Sequence, residues 1–150
     1  MREPVAAIVS DLIDVLLVED DAGDALMIEE ALSGQDVRVT LHVVRDGSEA
    51  MAFLLRAGDH SRAPRPGLIL LDLNLPKMDG REVLAEIKAD HSLRSIPVVV
   101  LTTSRAEEDV LRSYDLHANA YITKPVDADA FTRAVRRIDQ FYTTVAKLPS

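Results

Sequence analysis

Three short apolar runs limit what this chain can fold into more than anything else in it: Val15-Leu16-Leu17-Val18, Leu68-Ile69-Leu70-Leu71 and Val98-Val99-Val100-Leu101. None alternates with polar residues, which marks strands covered on both faces, as a parallel sheet requires. Such strands need crossovers. The intervening segments supply them at helical spacing: Ala25, Ile28 and Leu32; Ala50, Phe53, Leu54 and Ala57; Val83, Leu84 and Ile87. Val37 to Arg45 alternates more and reads as a strand nearer an edge, and Ala120 to Thr123 reads as a brief fifth strand. Asp46-x-x-Glu49 and Ser104-x-x-Glu107 each offer a capping oxygen with an acid three residues on, a helix-start signal. A last helix is expected from about Asp127 to Thr144, with Phe131, Ala134, Val135, Ile138, Phe141, Tyr142 and Val145 broadly on one side. Gly58 to Gly67 and Asn74 to Gly80 read as loops, the first only a connector. The predicted architecture is α/β: (βα)5, an open doubly wound five-stranded parallel sheet with its sites at the carboxyl ends of central strands.

Composition narrows the function classes. A chain of 150 residues suits one domain and leaves no room for a separate output domain. With 17 Lys+Arg against 25 Asp+Glu the formal charge is −8, which argues against a protein that grips a phosphate backbone through a basic face, so no DNA partner is expected. The absence of Cys excludes disulfide frameworks, thiolate metal sites and thiol nucleophiles. No apolar stretch approaches the ~20 residues that span a bilayer. Residues 1 to 13 carry acids among apolar residues and lack the basic start and unbroken apolar centre of a secretory signal. A cytoplasmic protein with no membrane partner is expected.

Chemistry gathers at the strand ends. Glu19-Asp20-Asp21 follows the first run directly, so carboxylates leave the sheet at its carboxyl edge. An isolated acidic triplet is ordinarily a polar loop with a helix cap. Asp72 changes that reading, because four apolar residues precede it and its carboxyl would be buried or half-buried unless something neutralised it. Right-handed crossovers commonly set the first and third strands side by side, which brings Glu19, Asp20 and Asp72 to one crevice. Carboxylates so crowded repel, and without a cation at least one should have a raised pKa. A divalent ion resolves the conflict. A few oxygen ligands with open positions left over suit Mg²⁺, with Mn²⁺ as an alternative, better than Zn²⁺ or a fully caged Ca²⁺. His42, His60, His91 and His117 lack a metal-ligand pairing and read as surface or helix residues. Thr102 ends the fourth strand and Lys124 the fifth, so a hydroxyl and an ammonium join the acids. Taken singly these are a cap or turn former and a solvated loop residue. Together with the acids they make a phosphoryl-transfer constellation: a nucleophile, metal ligands and donors for phosphoryl oxygens.

The stretches Val15-Leu16-Leu17-Val18-Glu19-Asp20-Asp21, Leu71-Asp72-Leu73-Asn74-Leu75-Pro76-Lys77-Met78-Asp79-Gly80, Leu101-Thr102-Thr103-Ser104 and Tyr121-Ile122-Thr123-Lys124-Pro125 resemble a bacterial two-component response-regulator receiver domain. The resemblance covers roughly residues 14 to 145 with every motif in order, flanked by an N-terminal extension (1–13) and a tail (146–150). No effector domain is expected to follow, and the chain resembles the stand-alone, CheY-like kind. The Gly58 to Gly67 connector and the segment Gln140 to Pro149 further resemble regulators paired with phytochrome-type sensor kinases.

The resemblance implies a flavodoxin-like sheet in the order 2-1-3-4-5 and a phosphoryl group accepted on Asp72 from a kinase phosphohistidine. It places Asp20, Asp72 and the backbone carbonyl of Asn74 on Mg²⁺, with Glu19 acting mainly through water. Lys124 is expected to contact the phosphoryl oxygens, and the Lys124–Pro125 bond to be cis, which the reduced trans preference of X-Pro bonds permits. The family often has two Asp where this chain has Glu19-Asp20; one more methylene still reaches a metal-bound water. An acyl phosphate on Asp72 adds about −1.5 to −2 charge. Thr102 is placed to turn its hydroxyl toward it, leaving space that Tyr121 fills by turning inward; otherwise Tyr121 is an aromatic edge of the core.

The partners so implied are a sensor histidine kinase, meeting Asp21 to Leu32 and the loops around Asp72, and a downstream protein reading Ser104 to Leu116, Ala120 to Thr123 and Asp127 to Val145. Phe141, Tyr142, Val145 and Leu148 are more apolar than a terminal segment needs, which suggests a homodimer through the last helix or packing onto the chain's own core. Three other readings compete. A Mg²⁺-dependent aspartyl-nucleophile phosphatase of the haloacid dehalogenase type carries Asp-x-Asp, and Asp72-Leu73-Asn74 puts an amide where the second acid must protonate a leaving group. A nucleotide- or flavin-binding module lacks its Gly-x-Gly-x-x-Gly or Gly-Lys-Ser/Thr loop here. A receiver-like platform that is never phosphorylated would normally have lost an acid, the Thr or the Lys, and all are present.

Overall fold

The computed structural model of the chain describes residues 13–33, 39–114, 116–127 and 129–134. Strands β1 (Ile13–Val18), β2 (Val39–Val44), β3 (Leu68–Asp72), β4 (Val98–Thr102) and β5 (Ala120–Thr123) form one sheet in the order β2-β1-β3-β4-β5, and all its pairs are parallel. Helices α1 (Ala22–Ser33), α2 (Gly47–Leu55), α3 (Gly80–Ala89) and α4 (Arg105–Ser113) form the crossovers, and residues 129–134 begin α5.

The unalternating runs are explained by two buried faces. Leu16, Val18, Ile69, Leu71, Val98 and Val100 pack with Phe53, Leu54, Val83, Leu84 and Ile87 from α2 and α3 on one side of the sheet. Val15, Leu17, Leu70, Val99 and Leu101 pack with Ile28 and Leu32 of α1 and Phe131 and Ala134 of α5 on the other. Each such side chain contributes about 1.5–3 kcal/mol on leaving water, so the central strands are held from both sides. Their register aligns the chemistry. Val18 pairs with Leu71, Asp72 with Leu101 and Thr102 with Thr123, so Glu19, Asp72, Thr102 and Lys124 reach one edge together.

Helix starts are fixed by side-chain caps. Asp46 Oδ1 accepts from the Glu49 N–H at 2.8 Å and Ser104 Oγ from the Glu107 N–H at 3.1 Å, as a capping box requires. The reciprocal acids bond one residue earlier than in the standard box, Glu49 Oε1 to the Arg45 N–H and Glu107 Oε1 to the Thr103 N–H. Asp21 and Asp79 cap α1 and α3 in the same manner, through the N–H groups of Asp24 and Arg81.

Several expectations are corrected or fall outside the described residues. Helix α2 stops at Leu55, because Arg56 takes a left-handed conformation at φ 56°; Ala57 is therefore exposed beyond the helix and not part of its apolar stripe. The Gly58–Gly67 connector contains a 3-10 turn at Gly58–His60. His42 is a partly exposed residue of edge strand β2 rather than of a helix, 2.9 Å from Asp14 Oδ1 and 5.4 Å ring to ring from Phe53. Val37 and the last helix beyond Ala134, with Phe141, Tyr142, Val145 and Leu148, lie outside the described residues. Among the described residues no helix is long and apolar enough to cross a membrane.

Candidate functional site

At the carboxyl edge, Asp72 on β3 is 4% exposed, Glu19 beyond β1 is 1% exposed, and Asp20 faces solvent. Each offers a carboxylate oxygen within 4.8 Å of the others. Asp72 is held at both oxygens: Oδ1 accepts from the Asn74 N–H at 2.9 Å and Oδ2 from the Lys124 ammonium at 2.9 Å. Asn74 itself is exposed. Lys124 is drawn to this edge by its own backbone, whose N–H donates to the Thr102 carbonyl at 2.7 Å, and the Lys124–Pro125 peptide is cis. Its ammonium meets Glu19 Oε1 at 2.6 Å and Asp24 Oδ2 at 3.0 Å as well.

Glu19 continues the β1–β2 ladder through its N–H to the Val44 carbonyl, which turns its side chain into the interior. Oε2 accepts from the Asp21 N–H at 3.2 Å. Oε1 is fully buried without a hydrogen-bond partner, its contact with Lys124 being an ion pair outside hydrogen-bond geometry. Burial pushes the Glu19 carboxyl up to about 7; Lys124 opposes the rise and Asp72 adds to it. The raised acid expected from crowding is thus Glu19, and desolvation outweighs repulsion as its cause. For Lys124, burial acts to lower the pKa, but its contacts with the Glu19, Asp72 and Asp24 carboxylates more than offset it and hold the ammonium above its ordinary range.

An all-oxygen cluster with one buried carboxylate oxygen lacking a donor fits a hard divalent cation. Soft or nitrogen-seeking metals find no ligands of their kind in this cluster.

Thr102 is fully buried, and its hydroxyl donates to the Ile122 carbonyl at 3.4 Å and to Thr123 Oγ1 at 3.3 Å, toward β5. Tyr121, half-buried on β5, lies under the Arg112 guanidinium, whose carbon is 4.7 Å from the ring centroid. Gly80 backs the site: a Cβ there would lie 2.5 Å from Leu73 Cα and 2.6 Å from the Asp72 carbonyl oxygen.

Sequence reasoning missed Asp24 and the pair Thr123 and Glu108. Asp24 stands in the first turn of α1, where the helix start alone accounts for an acid. Thr123 Oγ1 donates to Glu108 Oε1 at 3.1 Å across the β4–α4–β5 crossover, and no local pattern announces that pairing.

Residues 15–136 match the response regulator receiver domain family. The chain belongs to that family. Its sheet order is the flavodoxin-like, CheY-like order of receivers. This receiver is 49% identical over 136 residues to response regulator Rcp1 of Synechocystis sp. (strain ATCC 27184 / PCC 6803 / Kazusa), covering 91% of the chain and 92% of Rcp1. The crystal structure of Rcp1 in its Mn²⁺-bound form matches with a TM-score of 0.71 over 92% of this chain and 99% of that one. The phosphorylated cyanobacterial phytochrome response regulator RcpA is 52% identical, with a TM-score of 0.71 over the same shares of 92% and 99%. The bacteriophytochrome response regulator RtBRR is 44% identical, with a TM-score of 0.80 over 85% of this chain and 78% of that one.

Proposed function

We propose that this receiver takes a phosphoryl group on Asp72 from the phosphohistidine of a sensor histidine kinase of the phytochrome type, works in the cytoplasm, and relays the signal to a downstream protein without acting as an enzyme on a separate substrate. One observation carries the reading. Asp72 ends a fully buried central strand, with its carboxylate held between the Asn74 N–H and the Lys124 ammonium and within 4.8 Å of Glu19 and Asp20 oxygens. Support also comes from RcpA, solved in a phosphorylated form, and Rcp1, solved with Mn²⁺.

In this reading an Asp72 oxygen bonds to phosphorus in line with the departing imidazole; the P–N bond breaks, and the imidazole nitrogen keeps the electron pair and takes a proton from solvent. Lys124, already at 2.9 Å from Asp72, offsets charge on the phosphoryl oxygens. Glu19, Asp20, Asp72 and the Asn74 carbonyl would hold Mg²⁺, which when bound supplies further neutralising charge to the carboxylates and phosphoryl oxygens. Thr102 then exchanges its bonds to Ile122 and Thr123 for one to the acyl phosphate, and Tyr121 moves into the space it leaves.

Incubation with phosphoramidate and Mg²⁺ should add one acid-stable, base-labile phosphoryl group, read by intact mass, and Asp72→Asn should take up none. Uptake that persists in Asp72→Asn overturns the reading. Turnover of a generic phosphate monoester at enzyme rates would instead support the phosphatase.

A further inference from the structure

The Thr102 hydroxyl and the Tyr121 ring are joined by a chain of side chains that runs through α4. Thr102 shares its one hydroxyl proton between the Ile122 carbonyl at 3.4 Å and Thr123 Oγ1 at 3.3 Å, and Thr123 donates to Glu108 Oε1 at 3.1 Å. The other oxygen of the same carboxylate, Oε2, accepts from Arg112 Nε at 2.9 Å, and Arg112 covers Tyr121 at 4.7 Å. The order of donors is fixed by its end. A carboxylate only accepts, so Thr123 must give its one hydroxyl proton to Glu108, and its lone pairs then face Thr102. Glu108 is shielded, with its side chain only 16% exposed, so water competes weakly for these bonds and the charged terminus polarises the hydroxyls behind it. The same charge holds the guanidinium over the ring, where a cation is attracted to the aromatic face.

We propose that Thr123 and Glu108 are positioning residues that latch the Thr102 hydroxyl and the Tyr121 ring together in the resting arrangement. The inference rests on the phosphoacceptor reading for its signalling consequence, and on the resting contacts alone for its existence. Turning Thr102 toward Asp72 strips Thr123 of its incoming bond, and moving Tyr121 inward strips Arg112 of its ring. Both losses fall on groups held by the two oxygens of one carboxylate, Thr123 on Oε1 and Arg112 on Oε2. The two movements therefore share a restraint, which sets how far the unphosphorylated protein is held in its resting state.

The test uses the full chain carrying ¹³C-labelled tyrosine, with Tyr121 assigned among the three tyrosines by Tyr121→Phe. Beryllium trifluoride with Mg²⁺ serves as the phosphoryl mimic. Thr123→Val keeps the side-chain shape and removes the hydroxyl, while Glu108→Gln keeps the shape and removes the charge. Each should move the Tyr121 ring resonance of the unliganded protein toward its mimic-bound position and tighten mimic binding roughly two- to tenfold, the worth of one net hydrogen bond. Thr123→Ser should restore wild-type behaviour, and Thr123→Val should add nothing in a Thr102→Val background. Unmoved Tyr121 resonances and unchanged mimic affinity in folded Thr123→Val and Glu108→Gln overturn the latch. So does an effect of Thr123→Val that is the same with and without the Thr102 hydroxyl. If wild type binds no mimic, or Asp72→Asn binds it equally, the phosphoacceptor reading fails, and the unliganded Tyr121 resonance still decides the latch.

Discussion

Three carboxylates, Glu19, Asp24 and Asp72, meet the ammonium of Lys124, and Asp20 offers a fourth within 4.8 Å of Glu19 and Asp72 oxygens, so this edge carries an excess of negative charge that stability alone would not select. Glu19→Gln removes one of those charges from a buried position where desolvation already works against it. In metal-free buffer at pH 8 this variant should be more stable than wild type by about 1–3 kcal/mol. Its Mg²⁺ affinity, followed by calorimetric titration, should fall. Lys124→Met works in the opposite sense, leaving Glu19 and Asp72 buried without their cation, and should lose on the order of 3 kcal/mol. Urea midpoints without metal should rank Glu19→Gln above wild type and wild type above Lys124→Met. At this scale Asp72 was legible because an acid after four apolar residues is conspicuous, and Lys124 because it closes a strand. Asp24 was not, since an acid in a first helical turn is explained equally well by the helix dipole.

At the scale of elements, α3 bears on the site through its first residue. Gly80 donates its N–H to the Leu73 carbonyl at 3.1 Å, bringing the helix start so close to the end of β3 that a methyl group would overlap the Asp72–Leu73 backbone. Gly80→Ala should cost about 1–3 kcal/mol in urea unfolding, typical of overpacking. It should also slow phosphoramidate uptake, because the displaced backbone carries Asp72. The far end of α3 offers a pH test. Lys88 points its ammonium at the carbonyls of Arg94 and Ile96 and at Asn119 Oδ1, 3.2–3.5 Å away, and burial lowers its pKa from 10.5. In the window between the folded value and 10.5 the unfolded chain binds more protons at Lys88 than the folded one, so this residue makes stability rise with pH. Measured from pH 7 to 10.5, the urea midpoint of wild type should gain on that of Lys88→Met; a constant gap between them would contradict the buried-ammonium account. Element types were readable from periodicity and element ends less so: the α2 stripe appeared to extend to Ala57 until the left-handed Arg56 ended it.

Across the whole molecule the sheet was legible because its burial is two-sided: a run such as Val98 to Leu101 has no polar alternative on either face. What sequence could not supply was contact between distant elements, and the Thr123–Glu108 bond exists only once β5 lies beside β4. Self-association belongs to the same scale. Phe141, Tyr142, Val145 and Leu148 make this stretch of the sequence apolar, and apolar side chains gathered in water favour being covered. A second copy of the chain is one cover, and it has a signature that packing onto the chain's own core lacks. Each copy carries a formal charge of −8, so two copies repel over distances that salt screens, while the apolar contact between them does not weaken with salt. If a second copy is the cover, light scattering should show more dimer at 0.15 M salt than at 0.01 M, and Phe141→Glu with Leu148→Glu should abolish it. Phosphorylation adds about −1.5 to −2 charge per copy and sharpens the salt dependence if the interface lies near the site. A monomer at high concentration at both ionic strengths, with and without beryllium trifluoride, would mean that these four side chains are covered by their own chain.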